Sequence, residues 1–235
     1  MTLTHPASIS DHASTADAAL RRGFGPRVRR LHARIGKAHH QAEGMRFSRE
    51  LLEGRVQPLQ LAALLRALAP AYALLEERGP ALAEELGASG LPWSSLSRAA
   101  ALRQDLAVLS ALPLTPPSAA ATRWLERLRQ LADHAPHRLL AHVYVRYGGD
   151  LSGGQQLARQ ANAILAAHGL PALAFWAFDA PIGDLKQNLH GAFEALRLGE
   201  EQEAELLQEA ESAFLLTQQL LAELDDLVLP PAAAI

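Results

Sequence analysis

Apolar residues recur at three- and four-residue spacing along almost the whole chain, with no strand-like alternation and no hairpin turn signal, which is the pattern of packed amphipathic helices. A first helix is expected from Pro26, a first-turn proline, through the stretch His39-His40-Gln41-Ala42-Glu43 to Gly44. A short helix follows over 47–52, stopped by Gly54. The next, 59–77, carries Pro70 as a kink and Gly79-Pro80 as its stop. Residues 84–91 read as a loop or short helix, and 97–112 as a helix. Pro113-Leu-Thr-Pro-Pro117 is a helix–helix connection too short for a domain boundary. Helix 119–134 puts Trp124, Leu128 and Leu131 on one face. Pro136 then opens a long helix to His168-Gly169, an aromatic segment occupies 173–178, and helices over 184–197 and 200–227 complete the pattern.

One stretch breaks the rule the others keep. Residues 141–155, AHVYVRYGGDLSGGQ, place Gly148, Gly149, Gly153 and Gly154 within an otherwise helical run. Each glycine costs a helix roughly 1 kcal/mol relative to alanine, in a chain that fills its other helices with Ala and Leu. On a helix, Arg146, Gly149, Asp150, Gly153 and Leu157 share one stripe, with Gly154 beside it. Two glycines below a charged pair make a flat backbone surface open to a planar ligand. The competing reading is close packing of a second helix on those glycines.

Composition narrows the class. Ala and Leu dominate and β-branched residues are few, which favours an all-α, single-domain protein. The domain is expected over 25–228, between a disordered tail at 1–24 and a frayed tail at 229–235. No run of 18 apolar residues and no basic-then-apolar leader are present, so a soluble cytoplasmic protein with no membrane partner is the expectation. The absence of cysteine excludes disulfides, thiolate metal sites and thiol catalysis. The net charge of −3 hides an asymmetry: seven basic residues and no acid between Arg21 and Lys37, six acids and no base between Glu200 and Glu211. The basic run is either a solvated helix face or a docking surface for an anionic ligand or acidic protein; nucleic acid is not expected as a partner, since no recognition motif accompanies it.

The second candidate constellation is His39 with Glu43 at i and i+4, where a carboxylate can orient an imidazole. As a lone signal it also fits a surface pair. No further ligand stands at zinc spacing, so a metal bound by His39 would bring its own equatorial ligands, as haem does.

Together these segments resemble the haem oxygenases. The run 141–155 is similar to the distal-helix signature of that family, and 39–43 to the stretch carrying its proximal ligand. Ala71-Tyr72, Leu173-Ala-Phe-Trp176 and Ala213-Phe214 resemble further family segments in the right order, covering about 27–226. The resemblance implies a helical bundle with haem sandwiched between a proximal helix and a kinked distal helix. It implies His39 as axial ligand oriented by Glu43, Gly149, Gly153 and Gly154 against the distal face, and Asp150 with Arg146 as the proton-delivering network. Tyr144, His32, Lys186, His190 and Phe214 match positions that contact haem. His32 and His190 stand where animal members carry Lys and Arg. A histidine is shorter and only partly charged, which weakens propionate anchoring and with it the seating that decides which meso carbon is attacked.

The implied reaction is O2- and electron-dependent cleavage of haem, both cofactor and substrate, to biliverdin, carbon monoxide and iron. This chain shows no flavin or nicotinamide fingerprint. Electrons would therefore come from a ferredoxin, flavodoxin or NADPH-dependent reductase, and a bilin-binding photoreceptor is a candidate recipient. The rivals are a non-catalytic haem carrier or store, which has no need of Asp150; a helical enzyme acting on thiamin-like substrates, disfavoured without cysteine; and a plain helical interaction protein, which leaves the glycines unexplained.

Overall fold

The computed structural model describes residues 24–227, and these form an all-α bundle without strands. The helices are α1 (Pro26–Glu43), α2 (Arg46–Leu52), α3 (Pro58–Glu85), α4 (Trp93–Leu96), α5 (Ala99–Val108), α6 (Ala119–His134), α7 (Leu139–Leu151), α8 (Gly154–Ala167), α9 (Ile182–Glu194) and α10 (Glu200–Asp225). Single 3-10 turns lie at Leu109–Ala111 and Pro136–Arg138. Residues 1–23 and 228–235, which hold the expected tails at 1–24 and 229–235 apart from Phe24, lie outside the described residues. Phe24, at the edge of the first tail, is buried in the core.

Two long helices organise the rest. α10 packs along α1 on one side and α7 on the other, while α3 packs on α5, α6 and α7. α3 is the largest departure from the sequence reading, because it runs through both Pro70 and Gly79-Pro80 to Glu85. A proline inside a helix costs roughly 3 kcal/mol. Leu75, Leu82 and Ala83 beyond or between the prolines are buried, and one buried leucine offsets about 1.5–3 kcal/mol. Gly79 is where the indole of Trp93 crosses the helix, on ground a methyl group would take. By length and hydropathy α3 could cross a membrane, yet 67% of that apolar window is inside the fold, as expected of a core helix.

The long helix expected from Pro136 to Gly169 is two helices. α7 ends at Ser152 (φ −99°, ψ −85°), whose N–H donates to the carbonyls of Gly148 and Gly149 at 3.1 Å each, and α8 restarts at Gly154. None of the four glycines at this break has positive φ; among the described residues only Gly54, Gly87 and Gly169 do. Their value here is therefore the missing side chain and not backbone freedom.

Several helix starts are capped from another helix. The first N–H groups of α1 have no cap of their own, and the Glu194 carboxylate of α9 accepts from Arg27 N (3.2 Å) and Val28 N (2.7 Å). Glu76 of α3 does the same for Arg98 N and Ala99 N at α5, and Glu223 of α10 for Ala120 N and the Ser118 hydroxyl at α6. Each carboxylate satisfies orphan donors and sits at the positive end of the helix dipole.

The opposite charges of the two end helices also meet. Arg27 (2.7 Å) and Arg30 (2.8 Å) both pair with Glu203, and Arg34 pairs with Glu211 at 2.9 Å. The basic run is accordingly no open docking face along these three residues. Its acidic partner is the chain's own α10.

Removing the α1 cap with Glu194→Ala should lower stability by about 1–2 kcal/mol in urea unfolding at neutral pH, with an unchanged m-value. A midpoint equal to that of the parent would mean that α1 does not depend on this carboxylate.

Candidate functional site

His39 lies near the end of α1, half-exposed, with its ring edge-on to Phe214 of α10 at 5.6 Å between centroids. Its Nδ1 is 3.6 Å from Glu43, longer than a hydrogen bond. Glu43 is equally close to His40 Nδ1, at 3.4 Å. The carboxylate therefore does not choose between the two histidines. Packing does: Phe214 lies against His39, while the side chain of His40 is 85% exposed. Beside the ligand candidate, Gln218 Nε2 donates to the Ala38 carbonyl at 2.8 Å and ties α1 to α10.

The glycines of the break divide by environment. Gly149 is exposed with nothing near the position a side chain would take, and Gly153 meets only the Gly149 carbonyl at 4.0 Å. Gly148 has ordinary contact with Leu189. Gly154 is different: it is buried, and a Cβ there would stand 2.7 Å from Trp176 Cδ1. Gly149 and Gly153 form an open backbone face, whereas Gly154 leaves that face and makes room for an indole.

Asp150 also leaves the stripe. One residue on from Gly149, it is turned about 100° around the helix and fully buried. Tyr72 donates its O–H to Asp150 Oδ2 at 2.5 Å, and the Trp176 indole donates to the same carboxylate. Burial lifts the Asp150 pKa above the usual carboxylate range, against the opposing pull of Arg146, the Tyr72 hydrogen bond, Arg98 and Trp176. Arg146 donates from Nε to the Tyr72 hydroxyl (3.3 Å) and from Nη1 to Thr217 Oγ1 (3.4 Å). Burial works against its charge, but its interactions with Tyr72 and Asp150 outweigh that and raise its pKa. Tyr72 and Tyr147 are both pushed far up by burial and act as neutral donors, Tyr147 to Glu76 at 2.9 Å.

Trp176 is held by groups remote in sequence. Asp105 accepts from Ala174 N (2.7 Å) and Phe175 N (2.8 Å), Arg98 donates to the carbonyls of Phe175 and Ala177, and Gln155 donates to the Trp176 carbonyl. The guanidinium of Arg98 also lies 4.1 Å over the Phe178 ring. Tyr72 and Trp176 were legible in the sequence only as members of similar segments, and Thr217 was not singled out at all. Tyr72 stands 78 positions from Asp150, and no local spacing joins them.

The remaining candidates gather at the other edge. Phe24 stacks on His32 at 4.8 Å and meets His190 edge-on at 4.5 Å; His32 and His190 are each about 6 Å from Tyr144. Tyr144 packs on Phe193 at 5.0 Å, and its buried hydroxyl finds no hydrogen-bond partner among the described residues. Burial, then His32 and Lys186, pull His190 down to a pKa of about 4. At neutral pH this side chain is an uncharged aromatic group and not a cationic anchor. Lys186, one turn earlier on α9, is the one permanent cation among these four positions.

The sequence profile of the Heme oxygenase family matches residues 28–223. Heme oxygenase 1 of Homo sapiens is 33% identical over 205 residues, covering 82% of this chain and 69% of that protein. The heme oxygenase of the alga Porphyra purpurea is 28% identical over 194 residues, covering 80% and 82%. Among solved structures, heme oxygenase-1 of the cyanobacterium Synechocystis in complex with heme superposes with a TM-score of 0.76 at 28% identity, covering 86% of this chain and 93% of that one. The heme oxygenase of Leptospira interrogans gives 0.74 at 29%, covering 82% and 97%.

The open face at Gly149 gives a diagnostic substitution. Gly149→Ala should stabilise the ligand-free protein by up to about 1 kcal/mol, since nothing crowds the new methyl, yet weaken haem binding in a Soret titration. Gly154→Ala should destabilise the ligand-free protein, because the methyl meets Trp176. Equal destabilisation by both would mean the two glycines serve packing alike. His190 predicts a pH effect with a definite sign. Its folded pKa of about 4 lies below the ordinary value near 6.5, so the unfolded chain takes up the proton first as pH falls. Stability should therefore drop between pH 6.5 and about 4, and His190→Asn should flatten that part of the ligand-free urea-unfolding profile.

Proposed function

Because the chain belongs to the haem oxygenase family, we propose that His39 is its axial haem ligand and that Asp150, Tyr72 and Arg146 are its proton-handling arm. The protein is a haem-degrading oxygenase. Haem, as substrate, supplies the iron that activates O2 and the porphyrin ring that is opened to biliverdin with release of carbon monoxide.

The residues present fit a haem. Glu43 and Phe214 engage one side of the His39 ring environment and leave Nε2 available to a metal. A planar ligand needs a flat wall opposite the imidazole, and Gly149 and Gly153 offer bare backbone with open space over it. The unpaired Tyr144 hydroxyl supplies a polar point of contact at the edge formed by His32, Lys186 and His190.

The observation that carries the reading is the buried Asp150. A carboxylate this deep is expensive unless hydrogen-bonded, and a carrier gains nothing from it. Burial makes it readier to hold a proton at neutral pH than an ordinary aspartate, while Tyr72 and Trp176 fix its orientation. Oδ2 is engaged by Tyr72. A proton passes between the carboxyl and the Gly149–Gly153 face through bridging water, since Asp150 is turned from that face. Arg146, kept ionised, lends its N–H to the Tyr72 oxygen and strengthens the O–H that Tyr72 directs at Asp150.

Electrons come from an external donor: a ferredoxin, a flavodoxin or an NADPH-dependent reductase. With Arg27, Arg30 and Arg34 engaged by α10, the exposed Arg29 and Lys37 are the described members of the basic run left to meet an acidic donor.

The test is turnover of hemin with a reductase and catalase present. Loss of the Soret band with growth of a broad red bilin band is expected; a stable haem spectrum under turnover conditions would leave a carrier. Asp150→Ala should slow bilin formation by about 100-fold or more without loss of haem binding. His39→Ala should abolish the histidine-ligated spectrum; if that spectrum survives, the axial assignment is wrong and His40 takes its place.

A further inference from the structure

A second buried polar chain lies behind the distal arm and ends on it. Glu209 of α10 and His142 of α7 are both fully buried, with His142 Nε2 3.1 Å from Glu209 Oε1. Two arginines close the carboxylate from the other side: Arg127 of α6 donates to both oxygens at 3.2 and 2.6 Å, and Arg138 donates twice to Oε2 at 3.1 and 2.7 Å. On its inner side His142 Nδ1 is 3.1 Å from Nε1 of Trp124, on α6. An indole nitrogen can only donate. His142 must therefore accept at Nδ1 and carry its proton on Nε2, which it gives to Glu209. Burial keeps the imidazole neutral, so this single tautomer persists.

The consequence is an indole whose plane and tilt are set from outside the site. The Trp124 face lies 5.6 Å from the Arg146 Cζ, and the Tyr72 ring lies at the same distance from that carbon. Arg146 thus lies within reach of a cation–π contact with each of two aromatic rings. Its own hydrogen bonds are long, 3.3 Å to Tyr72 and 3.4 Å to Thr217, and no carboxylate pairs with it directly. The guanidinium owes its position more to the rings than to its hydrogen bonds.

We propose that Trp124, tethered by His142 and Glu209, is a positioning residue for Arg146 in the haem-cleavage reaction. This rests on the assignment of Arg146, Tyr72 and Asp150 as the proton-handling arm. The chain of contacts runs Glu209, His142, Trp124, Arg146, Tyr72, Asp150, and each link constrains the orientation of the next. Without the tethered face, Arg146 turns away from the Tyr72 oxygen, and Tyr72 no longer favours the O–H direction that serves Asp150. Haem contacts are made elsewhere, at His39 and the glycine face, so haem affinity does not depend on this chain.

Four variants test it: Trp124→Leu, Trp124→Phe, His142→Gln and Asp150→Asn. In the haem-free protein, the Arg146 Nε–H proton should resonate upfield because the guanidinium lies over both rings, 5.6 Å from each centroid. Trp124→Leu and His142→Gln should each move it toward the random-coil position. In the haem-loaded protein, Trp124→Leu should lower kcat for bilin formation about tenfold with KM for haem unchanged, and should shift the midpoint of the ferric acid–alkaline spectral transition. Trp124→Phe, which keeps a ring face but loses the tether, should fall between parent and Trp124→Leu. The proposal is overturned if the Arg146 resonance stays in place in both tether variants, or if kcat falls only in step with haem affinity. Asp150→Asn separates the two levels: if it leaves turnover unchanged, the proton-handling arm itself is misassigned. If it stalls turnover while Trp124→Leu with a displaced Arg146 does not, only the positioning role of Trp124 fails.

Discussion

A carboxylate taken wholly out of water must be met by donors from several directions, and the inner half of this bundle is arranged around that demand at Asp150. Tyr72 arrives from α3 and Trp176 from the α8–α9 connection, while Arg146, one turn earlier on α7, reaches the carboxylate only through the Tyr72 hydroxyl and its field. Each of these is fixed by a further set of contacts. Asp105 and Arg98 pin the connection that bears Trp176, and the two aromatic rings hold Arg146. Breaking one partner of such a group leaves an uncompensated buried charge, which costs several kcal/mol, whereas the intact set adds little net stability. The proton-handling role proposed for the carboxylate accounts for the arrangement better than its contribution to folding does.

The opposite wall is built by different means. α1 carries the ligand candidate, yet its own sequence supplies no cap and its arginines would repel one another in isolation. Glu194 closes its first turn and Glu203 and Glu211 neutralise its charged face. Phe214 and Gln218 then hold its last turns against α10. α1, the proposed proximal helix, is thus positioned by α9 and α10, while the glycine-bearing α7 is positioned by α3 and α6, so that the two proposed walls are braced separately.

The edge proposed to meet the haem propionates is lined mainly by rings. Phe24, His32, Tyr144, His190 and Phe193 form a continuous aromatic set, and burial leaves His190 uncharged at neutral pH. A propionate bound at this proposed edge would meet Lys186 as its permanent cation and the Tyr144 hydroxyl as a polar contact, without a cluster of positive charge.

Local pattern sufficed for much of this protein. Helix periodicity, the proline at the start of α1 and the propensity cost of four glycines are properties of neighbouring residues, and from them the all-α class, most helix bounds and the planar face at Gly149 and Gly153 could be read. The same logic failed where distant residues intervene. α3 continues through Gly79-Pro80 because Leu82 and Ala83 gain burial that local propensity does not count. What Asp150 and Gly154 face was not legible locally, because Tyr72 and Trp176 reach them from far along the chain. The basic and acidic runs were both visible, but only the packing of α1 on α10 made them each other's partner. Spacing along a helix determines which side chains share a face. What that face meets depends on non-local packing, and in this protein the chemistry of the site is set there.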